Sequence, residues 1–158
     1  MCAMCEGQTP DEFMAGVIDD IDETGWAVVA VEGDRGQHVS SYTVGLTRLH
    51  GHPELIVSGG GFEQAHHVLD ELAEAVHAGR RLAPGQVLSR GEVGRECVLV
   101  AVADPSRLVL AQAVYGRFMP VMALQVVWAD QDGRWPWELC EHHRRNQEMY
   151  GRPVLGTG

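Results

Sequence analysis

Lysine is absent from the chain: all twelve basic residues are arginine. That absence removes chemistries that need a lysine amine, among them Schiff-base formation and the P-loop. A basic excess is missing too, because 22 acidic residues against 12 arginines leave a net charge of -10. A phosphate-reading surface needs the opposite balance, so the composition argues against a nucleic-acid partner. No run approaches the roughly 18 to 20 apolar residues of a membrane span. The start, from Met1 through Cys5 to Phe13, lacks the cationic and apolar regions of a signal peptide. These absences lead to the expectation of a cytoplasmic protein with no membrane partner. There is also no GxSxG elbow, internal repeat, low-complexity block or convincing linker.

What is present suits one globular domain. With 158 residues, 45% of them hydrophobic and 22% charged, the chain is long enough to bury a core without staples. Thr9-Pro10-Asp11-Glu12 carries a helix start: Thr9 caps, Pro10 takes the first helical position and Glu12 closes a capping box. Phe13, Val17, Ile18 and Ile21 follow at helical spacing as far as Gly25. Trp26 to Val31 reads as a strand apolar on both faces, and Gly33-Asp34-Arg35-Gly36 as its turn. Ser40 to Leu46 reads as a half-buried hairpin partner. A polar loop from Arg48 to Pro53 then leads to a strand from Glu54 to Ser58. Gly59-Gly60-Gly61 reads as a structural turn before an amphipathic helix from Phe62 to Ala78. An extended stretch opens at Pro84-Gly85, and Cys97 to Ala103 reads as a strand. Asp104 starts a helix that runs to about Tyr115, and Met122 to Trp128 forms the last strand. The expectation is a single α+β domain over residues 1–158, a mixed or antiparallel sheet of about five strands with about three helices packed on it. Residues 1–8 form a cysteine-containing N-terminal segment and 139–158 a C-terminal tail.

Four stretches carry a resemblance. They are Ser41-Tyr42-Thr43-Val44-Gly45-Leu46, His50-Gly51-His52-Pro53-Glu54-Leu55-Ile56-Val57, Ala123 to Asp130, and Gly133-Arg134-Trp135-Pro136-Trp137-Glu138. Together they resemble the bacterial DUF4262 family of small proteins of unassigned function, over roughly residues 10 to 155. The resemblance implies one small α+β domain from arginine-rich proteomes. It carries over no reaction and no catalytic residue.

The chemistry-bearing residues fall into two clusters. Cys2-x-x-Cys5 lets two thiolates close on one ion from a tight turn, but supplies only half a site. Cys140-Glu141-His142-His143 offers the rest, since Cys140 and His143 share a helical face. A zinc site of Cys2, Cys5, Cys140 and His143, with His142 as the alternative ligand, would tie the two ends together. An iron-sulfur cluster would have to recruit Cys97, which reads as a core residue in a buried strand. Exposed, unpartnered thiols and a redox dithiol are the alternatives. The second cluster is His50-Gly51-His52-Pro53-Glu54, where alternating imidazoles can chelate one metal and Glu54 can act as general base or third ligand. A solvated surface loop is the alternative there. Tyr42 and Gln125 place polar groups on otherwise apolar strands and fall near any such pocket. Tyr42 is equally a core aromatic with a bonded hydroxyl.

His66 and His67 read as partly exposed helix residues, and Trp128, Trp135 and Trp137 as packing or an interface edge. Three functions follow from these readings. One is a zinc-stapled, non-enzymatic binding or regulatory domain that meets a protein partner or a small molecule. Another is a small metal-dependent enzyme using His50, His52 and Glu54. The last is a metal-free interaction protein of the antitoxin or immunity type, whose acidity would suit a basic partner.

Overall fold

Thr9 opens the first helix as its sequence predicts, in a computed structural model that describes residues 9–31, 39–116, 120–130, 132–139 and 147–153. The Glu12 N–H donates to the Thr9 hydroxyl and the Thr9 N–H to the Glu12 carboxylate, both at 3.1 Å. Helix α1 (Pro10–Thr24) ends where Gly25 takes the left-handed conformation, φ 103°. The chain then doubles back as β1 (Ala27–Val31) and, beyond the segment that contains the expected turn at 33–36, which lies outside the described residues, β2 (Ser40–Val44). Helix α2 (Leu46–His50), strand β3 (Glu54–Ser58) and helix α3 (Phe62–His77) follow. The remaining elements are β4 (Val87–Leu88), α4 (Arg90–Val93), β5 (Cys97–Ala101), α5 (Val109–Tyr115) and β6 (Ala123–Trp128).

The six strands form one mixed sheet in the order β1-β2-β3-β6-β5-β4. The β3–β6 pair is parallel and the other neighbours are antiparallel. Alternation along β3 shows how the sheet is covered. Leu55 and Val57 join one core with Ala65, Val68, Leu69, Leu72, Ala73 and Val76 of α3, while Ile56 joins the opposite core with Val17 and Ile21 of α1 and Ala111 and Tyr115 of α5. Each large apolar side chain so buried contributes roughly 1.5–3 kcal/mol of transfer free energy. Beside the second core, Val98, Val100 and Val127 are covered by Trp135, Trp137 and Met149.

This is the expected α+β fold with a mixed sheet, and it differs from the expectation in detail. The sixth strand is the two-residue β4. Leu46–His50 forms a short helix where the end of the Ser40–Leu46 strand and the start of the Arg48–Pro53 loop were expected, because Gly45 and Gly51 supply the positive φ that start and stop it. The expected Asp104–Tyr115 helix divides into a 3-10 turn, Pro105–Arg107, capped by Asp104, and α5. β2 is buried along its whole length, not half-buried, since helices cover both faces of the sheet.

Residues 147–151 are stitched across the second face by two side-chain amides. Gln125 Nε2 donates to the Glu148 carbonyl at 2.6 Å, and the Tyr150 N–H donates to Gln125 Oε1 at 2.9 Å. Gln147 does the same in reverse: its Nε2 donates to the Trp128 carbonyl at 2.8 Å and its Oε1 accepts the Trp128 N–H at 3.0 Å. The polar residue on an apolar strand, Gln125, therefore serves as a substitute backbone partner for a segment with no strand of its own to pair with.

Candidate functional site

Glu54 begins β3 at the end of the sheet where β2, α2 and α5 converge. It is completely buried and has no cation beside it among the described residues. Four donors hold the carboxylate instead. The Tyr115 hydroxyl donates at 2.6 Å and the Thr47 N–H at 3.0 Å to Oε1, which also accepts the Gly45 N–H at 3.1 Å. The Thr43 hydroxyl donates to Oε2 at 2.7 Å. Thr43 Oγ1 in turn accepts the Leu55 N–H at 2.9 Å, and the Tyr115 hydroxyl accepts the Gly45 N–H at 2.6 Å. Burial raises the Glu54 pKa and the four donors oppose that rise. Burial and the neighbouring carboxylate also push the Tyr115 phenol well above its ordinary value.

His52 is likewise buried, with 1% of its surface exposed. Its Nδ1 lies 2.7 Å from the Pro53 carbonyl, which can only accept, and its Nε2 lies 3.0 Å from the Leu82 N–H, which can only donate. These partners fix the neutral tautomer with the proton on Nδ1. Burial lowers the pKa, and Arg81 and His50 add to the lowering. Both ring nitrogens are committed to the main chain, which leaves no lone pair for a metal in this geometry.

His50 turns elsewhere. Its Nε2 meets His77 Nδ1 on α3 at 3.1 Å, at the surface. The three residues of the expected loop site thus reach three different sets of partners. Among the described residues, no three His, Cys, Asp or Glu side chains gather as a metal cluster would require. Cys2, Cys5, Cys140, His142 and His143 lie outside the described residues.

The other expected residues have structural partners. The Tyr42 hydroxyl accepts the Leu110 N–H at 3.0 Å, and burial pushes its pKa up to about 12. Cys97 is a buried thiol raised to about 11 by burial. His66 and His67 pair with Asp70 and Glu71 one helical turn on. Trp135 and Trp137 stack at 5.3 Å with an interplanar angle of 8° and pack against the sheet. The residues that the sequence did not single out are Thr43 and Tyr115 around Glu54, and His77 beside His50. Tyr115 is 61 positions from Glu54 and His77 is 27 from His50. Local spacing carries no signal at such separations, although a glutamate opening an apolar strand does signal that donors must be found for it.

No curated protein and no solved structure matches the chain. Residues 20–139, from within α1 to the end of the tryptophan-bearing turn, match DUF4262, a domain of unknown function, and the chain belongs to that family.

Proposed function

We propose that the protein is a non-enzymatic binding or regulatory domain whose two ends are joined by zinc on Cys2, Cys5, Cys140 and His143, with His142 as the alternative ligand. One observation carries this reading: the described residues that flank both cysteine-bearing segments lie toward one end of the sheet. Helix α1 feeds directly into β1 and packs back over it, so Thr9 lies toward the Val31 end. Val31 pairs with Ser40, Ser40 with Ser58, and β3 runs parallel to β6, so the Val31 end is also the Trp128 end. Gln147 is bonded to Trp128 there. From β1 to β6 is three strand spacings, about 14 Å, a span that the seven residues from Thr9 to Cys2 cover readily and the four from Thr9 to Cys5 just cover at up to about 3.6 Å each.

The commitment of His52 and Glu54 to internal bonds also disfavours the enzyme reading, which needs both groups free. Elemental analysis of untagged protein tests the reading, with Cys2→Ser and Cys140→Ser variants alongside. It predicts about one zinc per chain, lost in both variants. Zinc retained in both variants would overturn the terminal site, and protein purified without metal would leave the metal-free interaction module as the better account.

A further inference from the structure

His50 and His77 stand at the C-terminal ends of α2 and α3, and neither the fold nor the proposed zinc staple gives them a task. His50 Nε2 lies 3.1 Å from His77 Nδ1, with the rings edge to face and their centroids 5.1 Å apart. Two nitrogens bound to one tetrahedral ion at 2.0–2.1 Å each stand about 3.3 Å apart, so the pair is already within a few tenths of an ångström of a chelating separation. The surroundings hold the His77 ring in place. Gly25, at φ 103°, leaves the space: a Cβ there would come within 3.3 Å of His77 Nδ1. The Trp26 ring flanks it at 5.8 Å, itself fixed by a 2.9 Å hydrogen bond from its indole N–H to Asp70.

We propose that His50 and His77 form a second metal site, for a divalent transition ion of the imidazole-preferring class, zinc, nickel or copper. Among the described residues no third protein ligand joins them, so water completes the coordination and the ion exchanges freely. In the metal-free pair one ring donates its N–H to the other. On binding, that ring loses this proton to solvent and takes one up on its opposite nitrogen, so a neutral pair binds with no net proton release. The bound ion bridges α2 to α3 and stabilises the folded chain in proportion to its concentration over its dissociation constant. This site is independent of the terminal cysteines.

The test is a zinc chloride titration of the full chain, followed through the imidazole 15N resonances and assigned with His50→Gln and His77→Gln variants. The proposal predicts that His50 Nε2 and His77 Nδ1 shift with a common midpoint, and that His50→Gln weakens the His77 response by about tenfold or more. Cys2→Ser and Cys140→Ser leave that midpoint unchanged, as does His67→Gln on the opposite pairing with Glu71. Absence of any shift up to millimolar zinc, or separate midpoints for the two rings, would overturn it. Should one glutamine variant lose its native amide spectrum, the common midpoint in the wild type and the other variant decide the question.

Discussion

At the scale of single residues, the buried polar groups explain more of this protein than its exposed ones. Glu54 is held by donors from four segments, and truncating any donor leaves a fully desolvated carboxylate short of a partner. Tyr115→Phe therefore costs roughly 1–3 kcal/mol in urea unfolding. Glu54→Gln costs a similar amount, because its amide N–H₂ meets groups already placed to donate. His52 makes a pH prediction with a definite sign. Its folded pKa lies below the unfolded value of about 6.5, so the unfolded chain binds the proton more readily. The stability it contributes is complete above about pH 6.5 and is lost as the pH falls toward the folded value. Glu54 acts oppositely, its raised pKa weakening the fold as pH rises through that value. The difference in unfolding midpoint between wild type and His52→Gln, measured from pH 7.5 to 5, isolates the imidazole; a difference that does not change with pH would contradict the assignment.

At the scale of elements, much was legible. The capping box at Thr9, the strand from Glu54 to Ser58 and the amphipathic α3 are all legible in local pattern, because a cap, a short apolar run after a polar loop and a period of 3.6 are local properties. What was not legible depends on encounters between distant segments. The burial of both faces of β2 needs α3 on one side and α1 and α5 on the other, and the two serines and one threonine of Ser40–Val44 do not announce it. Gly45 shows the same limit. Its φ of 126° and its place at the α2 start let the β2–α2 turn press on the α1–β1 turn, where a Cβ would sit 2.6 Å from the Gly25 carbonyl oxygen. Its N–H also serves both Glu54 and Tyr115. Gly45→Ala is expected to destabilise by at least about 2 kcal/mol, read as a lowered denaturation midpoint with unchanged slope. A midpoint within experimental error of wild type would show that the two turns yield more easily than their geometry implies.

At the scale of the whole molecule, a three-layer domain with a core on each face of the sheet is expected to fold without help from metal. The zinc site proposed at the Trp128 end would then be an addition that fastens the chain ends to a finished scaffold. Chelation should release zinc and lower the thermal midpoint by a few degrees without abolishing the cooperative transition, since metal binding only adds its own linkage term to the folded state. The central claim is the ligand set, and X-ray absorption at the zinc edge reads it directly. A first shell of three sulfurs at about 2.3 Å and one nitrogen at about 2.0–2.1 Å is predicted for protein carrying one zinc per chain. A shell of nitrogen and oxygen alone would contradict the terminal staple.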